Sequence, residues 1–249
     1  MKRLIKSVAF ACGLFAAATT GSNAGVYLVG DSNVIDTRAN NAADNEIFFQ
    51  NLFNGTSILN NSSVNLGITG TTATVTTNIG TVTAGGLAGK DFLVTGFRQT
   101  SYSGSELADI TNFVNGGGSL FLIGEGNTAF DDTNIAVNSI LAAIGSTMRL
   151  STTENFDRSN FTNISSLTTS GPLTAGVNSW STAFASEISL GANGESIIAG
   201  IADLNKFGTA VGFDGLGNSA VVPLPAALPL LAGGLGFLAM VRVRRRNHA

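Results

Sequence analysis

Three times along this chain a short apolar run stops at a glycine and gives way to a segment with helical spacing, which restricts the fold more than any other feature. Residues 26–29 (Val-Tyr-Leu-Val) end in Gly30-Asp31-Ser32-Asn33, and residues 44–53 then set Ile47, Phe48, Leu52 and Phe53 on one helical face before Asn54-Gly55. Asp91-Phe92-Leu93-Val94-Thr95-Gly96 is followed by Leu107, Ile110, Phe113 and Val114, with Ser103 or Ser105 as N-cap and Glu106 and Asp109 near the positive helix end. Residues 119–123 close on Gly124-Glu125-Gly126-Asn127, and Asp131 or Asp132 then caps a helix carrying Ile135, Val137, Ile140, Leu141 and Ile144. Runs that are apolar without alternation are strands buried on both faces. Strand, turn and helix repeated in this order predict an α/β fold, a parallel sheet covered by helices on both faces.

The rest of the chain fits around that frame. Residues 56–89 are rich in Thr, Asn and Gly, with strands expected at 73–77 and 81–83. A further strand is expected at 147–150. After Glu154 the pattern turns to strands at 185–190, 196–201 and 209–213, separated by Asn- and Gly-rich turns, which predicts antiparallel β additions to the same sheet.

The two ends have a different character. Lys2, Arg3 and Lys6 precede an apolar stretch at 7–18 and Ser22-Asn23-Ala24, the pattern of a secretory signal peptide over residues 1–24 cleaved between Ala24 and Gly25. At the other end, residues 222–249 run Val222, Pro223, Leu224, Pro225 and Ala226, then an apolar stretch to Val241, then Arg242, Arg244, Arg245 and Arg246. That stretch approaches the ~17–25 residues that cross a bilayer as a transmembrane helix, and the arginines beyond it favour the cytoplasmic side. The prolines lack a backbone N–H and hold their predecessors extended, which suits the box to a peptidase cleft.

Setting the ends aside leaves residues 25–221 as an exported domain of unusual composition. Only Arg38, Lys90, Arg98, Arg149, Arg158 and Lys206 of its side chains are basic, against all 16 acidic residues of the chain. A nucleic-acid partner requires a basic footprint, and none is present. The single cysteine is Cys12 and the single histidine His248, so the domain has neither. Disulfides, Cys-His and Ser-His-Asp catalysis and the usual zinc or copper sites are thereby excluded. No motif calls for a cofactor.

The terminal box, apolar run and arginines together resemble the PEP-CTERM sorting signal in its VPLPA-CTERM variant. The resemblance implies processing by an exosortase-type membrane peptidase in a Gram-negative bacterium that makes exopolysaccharide. It implies export through signal peptidase and the secretion machinery, an inner-membrane intermediate, and a final place at the cell surface, outer envelope or outside the cell. The middle of the chain resembles the class I glutamine amidotransferase-like fold, a three-layer flavodoxin-like sheet, and more particularly its relatives of the trehalose-utilisation type. Phe113-Val114-Asn115-Gly116-Gly117-Gly118-Ser119-Leu120 and Gly171-Pro172-Leu173-Thr174-Ala175-Gly176-Val177 carry that likeness. The amidotransferase nucleophile is a cysteine on the turn where this chain has Gly124-Glu125-Gly126, so that activity does not transfer. Gly30-Asp31-Ser32 is also similar to the nucleophile block of GDSL-type ester hydrolases, but their histidine partner is missing, since His248 lies beyond the apolar stretch.

In open α/β sheets ligands bind beyond the carboxyl ends of the strands. Asp31, Ser32, Asn33, Arg98, Gln99, Glu125 and Asn127 fall there, with Asp131 and Asp132 close behind. Three functions are compatible with them. The first is a non-catalytic structural or binding protein of the cell envelope, linked to exopolysaccharide or biofilm. The second is a carbohydrate-directed enzyme using Asp31 and Glu125 as paired carboxylates. The third is a calcium-dependent module using Asp131 and Asp132, although the glycine and distal glutamate of an EF-hand loop are lacking. Arg98 is a candidate anion clamp or an ion-pair partner of Glu125, and Trp180 a candidate sugar platform or a core residue.

Overall fold

The computed structural model describes residues 24–36, 43–126, 130–159, 161–203 and 205–216. The expected signal sequence through Asn23, Asn127, and the whole sorting tail from Val222 lie outside those residues. Among the described residues no helix is long and apolar enough to cross a membrane.

The fold is α/β, with a mixed eight-stranded sheet and four α-helices among the described residues. The strands are β1 (Val26–Val29), β2 (Ser57–Asn60), β3 (Thr74–Thr77), β4 (Phe92–Gly96), β5 (Ser119–Ile123), β6 (Arg149–Asn155), β7 (Thr162–Asn163), β8 (Ser165–Thr169), β9 (Ser181–Thr182), β10 (Ser186–Ser189), β11 (Glu195–Ile201) and β12 (Phe207–Asp214). The helices are α1 (Asn45–Phe53), α2 (Ala84–Leu87), α3 (Gly104–Asn115) and α4 (Asp131–Ala143). The sheet runs β3-β2-β4-β5-β1-β12-β11-β8. The first five strands pair in parallel, and β12, β11 and β8 continue the sheet in antiparallel fashion from β1.

Both sheet faces are covered, which is why β1, β4 and β5 read as unbroken apolar runs. Val29, Phe92, Val94, Phe121 and Ile123 join α1 in one core, whereas Val26, Leu28, Leu93, Leu120 and Leu122 join α3 and α4 in the other. The first core is aromatic. Phe49 meets Phe48, Phe53, Phe121 and Trp180 with ring centroids 5.3–6.3 Å apart. Burying each such ring contributes about 1.5–3 kcal/mol. Trp180 is fully buried there, so it is a core residue and no sugar platform.

Several expectations shift by local chemistry. Ser103, not Ser105, caps α3. Its hydroxyl accepts from Glu106 N–H while the Glu106 carboxylate accepts from Ser103 N–H, a reciprocal capping box. The α4 N-cap is Phe130, and Asp131 and Asp132 occupy the first turn without capping it. Ile135, expected on the buried face of α4, is 52 % exposed, because Thr133, Asn134, Ala136, Val137, Ile140 and Leu141 take that face. The strand expected at 81–83 is absent; Thr83 instead caps the short α2, its hydroxyl accepting from Gly86 N–H. Strand β2 emerges from the loose Thr/Asn-rich region, and β10 pairs with β6 in a separate two-stranded ladder rather than joining the main sheet.

Candidate functional site

Strands β1 and β5 are parallel neighbours, yet the chain leaves them toward opposite sheet faces, since α1 belongs to one core and α4 to the other. That divergence makes the two carboxyl ends a topological switch point of the sheet. Asp31 and Ser32 reach it from β1 and Glu125 from β5. The Ser32 hydroxyl donates to Glu125 Oε2 at 2.8 Å, and the Ser32 N–H approaches the same oxygen at 3.4 Å. Gly126 N–H donates to Glu125 Oε1 at 3.2 Å. Asp31 N-caps the 3-10 turn Ser32–Val34: its Oδ1 accepts from Asn33 N–H at 2.7 Å and from Asn33 Nδ2 at 2.9 Å.

Neither carboxyl group faces open solvent. Asp31 is 1 % and Glu125 4 % exposed, because the segment 181–186 crosses the strand ends. Ala183 N–H donates to Asp31 Oδ2 at 2.7 Å, Ser186 N–H to Gly30 C=O at 2.7 Å, and Gly126 N–H to Phe184 C=O at 2.7 Å. Gly30 and Gly126 make this close crossing feasible. A Cβ on Gly30 would lie 2.2 Å from Ser186 O, and one on Gly126 2.2 Å from Phe184 O.

Burial governs the electrostatics. It raises the Glu125 carboxyl to about 7, against the bonds from Ser32 and Gly126 that favour the charged form. Asp31 is pushed well above the usual carboxylate range, first by burial and then by the neighbouring Glu125 charge. Chemically the Glu125 carboxyl can hold a proton near neutral pH. The oxygens of both acids already accept hydrogen bonds from the chain's own N–H and O–H groups.

The other sequence candidates disperse. Arg98 does not join Glu125. Its guanidinium lies 4.2 Å over the Tyr102 ring and pairs with Glu106 at 3.0 Å, binding the β4–α3 loop to the capping box. Burial pushes Glu106 upward, but bonds from Ser103 N–H, Arg98 and Val82 N–H outweigh it and hold the carboxyl low. Asp131 and Asp132 gather no further acid, and among the described residues no group of three His, Cys, Asp or Glu side chains assembles a metal site. Asn33 stays beside Asp31.

Three participants were not expected from sequence. Asn134 clamps the Glu125 backbone, accepting from its N–H at 3.0 Å and donating to its C=O at 2.8 Å. An amide among the buried positions of an apolar helix face was the visible signal. Asp157 is fully buried and accepts from the Thr182 hydroxyl at 2.6 Å. The crossing segment, Ser-Thr-Ala-Phe-Ala-Ser, has no signature beyond small residues flanking one phenylalanine.

No family model and no curated protein matches the chain. Among solved structures, the mmIFT52 N-terminal domain is similar with a TM-score of 0.46 and 15 % identity, over 55 % of this chain and 69 % of that one.

Proposed function

We propose that the chain is an exported cell-envelope or extracellular-matrix protein, delivered by an exosortase-type system and serving a non-catalytic structural or binding role linked to exopolysaccharide. The observation that carries the delivery is the sequence of the tail: Val222-Pro223-Leu224-Pro225-Ala226, an apolar run, then four arginines. Residues 1–24 act in this reading as the signal peptide, residues 25–221 as the exported domain and residues 222–249 as the sorting signal. A non-catalytic role is supported by the 1 % and 4 % exposure of Asp31 and Glu125 beneath the crossing segment.

The fold is proposed to group with the flavodoxin-like, class I glutamine amidotransferase-like sheets. Supporting this, β2 to β5 take the order β3-β2-β4-β5, the 2-1-3-4 part of the flavodoxin order, with β1 in the fifth position.

A second reading, a carbohydrate-directed enzyme, is favoured by the burial of Glu125, which pushes its carboxyl up to about 7, the range suited to a general acid. Complementation of a deletion strain separates the two. The first reading expects Asp31→Asn and Glu125→Gln to restore the surface or biofilm phenotype and a chain lacking residues 222–249 to fail. Loss of function in both carboxyl variants, with folding intact by circular dichroism, would overturn the non-catalytic role.

A further inference from the structure

We propose that the groove between strands β1, β12 and β11 and the 3-10 turn Pro172–Thr174 binds a protonated amino sugar, as one unit of an aminated polysaccharide. The inference rests on the binding role proposed above and gives that role a place, away from Asp31 and Glu125.

The sheet supplies one wall. Tyr27 on β1 pairs with Phe213 on β12, which pairs in turn with Glu195 on β11, so the three side chains share one face. The Tyr27 and Phe213 rings lie 4.9 Å apart at 41° to each other and are half-buried. Together they make a bent aromatic surface, which Ile197 extends.

The turn supplies the other wall, and the chain holds it in place by itself. Ser170 N–H donates to Ile197 C=O at 2.9 Å. Asn51 on α1 donates its Nδ2 to the C=O of Leu173 and to that of Ala175, at 3.0 Å each. Pro172 and Leu173 thereby close a preformed cavity of about 330 Å³ against the rings, enough for a small ligand.

Three polar groups line this mostly apolar space. Among the described residues the Tyr27 hydroxyl, the Ser170 hydroxyl and the Glu195 carboxylate take part in no hydrogen bond or ion pair. An apolar wall with a few convergent polar groups is the composition of a ligand site. Among the described residues no lysine or arginine lines the groove, so its one charge is negative. That charge selects the ligand. Aromatic faces attract cations, and an ammonium pairs with the exposed Glu195, whereas an anion is repelled and a purely apolar ligand leaves the carboxylate unused. The rings also accept the C–H face of a pyranose, whose hydroxyls bond to Tyr27 and Ser170. An amino sugar offers the C–H face, the hydroxyls and the ammonium in one unit. Ser170, Gly171 and Glu195 are exposed, so neighbouring units of a polymer can leave through that side.

Calorimetry of the full-length chain, at physiological salt in a detergent without a sugar head group, tests this with two probes. One is a β-1,4-linked oligomer of glucosamine, the other a cellulose oligomer of equal length, so the probes differ only by the amino group. The glucosamine oligomer is expected to bind at least about fivefold more tightly. Glu195→Gln is expected to remove that preference, and Phe213→Leu, with folding checked by circular dichroism, to weaken both probes. Glu154→Gln, at an exposed acid on β6 outside the groove, is expected to leave binding unchanged. Equal binding of the two probes, no binding of either, an undiminished preference in Glu195→Gln, or an equal loss in Glu154→Gln would overturn the proposal. The probes meet purified protein, so failure here leaves the delivery reading standing, and mislocalisation in cells leaves this site standing.

Discussion

Ser32 and Glu125, 93 residues apart in the chain, meet through a 2.8 Å hydrogen bond from the serine hydroxyl to the carboxylate. The contact joins the carboxyl ends of two neighbouring parallel strands beneath a segment from the far end of the domain. It places an acid where water is scarce, and the stability of the domain becomes tied to pH.

That tie has a definite sign. Glu125 holds its proton more tightly folded than unfolded, so its contribution is complete below the usual carboxylate range and is lost as pH rises through about 7. Asp31 shifts in the same direction. Glu106 works oppositely, its contribution being lost as pH falls below the ordinary carboxylate range. Thermal unfolding is therefore expected to show a maximum near pH 5. From there to pH 8 the loss is on the order of 2–3 kcal/mol, or roughly 5–10 °C in Tm. Glu125→Gln should flatten the alkaline side. A flat wild-type profile, or an unchanged slope in the variant, contradicts the assignment.

Crossing of the strand ends by the segment 181–186 depends on two glycines. Gly30→Ala and Gly126→Ala each place a methyl 2.2 Å from a backbone oxygen of that segment. Each substitution is expected to cost about 1–3 kcal/mol in urea unfolding. Gly85→Ala, where the added Cβ meets nothing within 4 Å, serves as the control and should be near neutral.

The capping box of α3 offers a smaller, local test. Ser103→Ala removes the acceptor for Glu106 N–H and should destabilise by about 1 kcal/mol. Ser105→Ala, one turn position away and not capping, should change stability by no more than a few tenths.

Phe49 is the hub of the aromatic core, with four ring neighbours. Phe49→Ala is expected to cost about 3–5 kcal/mol in chemical denaturation. A cost below about 1 kcal/mol would show that α1 does not pack as described.

How much of this was legible beforehand follows from where the information resides. The ends of β5, Ser119 and Ile123, can be read off the sequence because an apolar run buried on both faces has sharp polar limits. The same holds for Val26–Val29. Strand β2 was hidden because four residues, Ser-Ile-Leu-Asn, carry too short a period among threonines and asparagines. Ile135 misled because a helix with buried Thr133 and Asn134 does not keep its apolar residues on the inner face. Asp31 and Glu125 were expected at strand ends, and the structure brings them together because β1 and β5 are neighbours, which the sequence did not show. Their closure under residues 181–186 was beyond reach, since it rests on backbone hydrogen bonds that any sequence of small residues can make. The Arg98 partner was a matter of reach: Glu106 lies 8 residues along the chain from Arg98, far closer than Glu125, and presents its carboxylate at the cap.

Delivery is checked by mass spectrometry of the mature protein recovered from cell fractions. A surface or extracellular form is expected that begins at Gly25 and lacks the sequence beyond the Val222-Pro223-Leu224-Pro225-Ala226 box. A surface form with its C-terminus intact through His248 would contradict it.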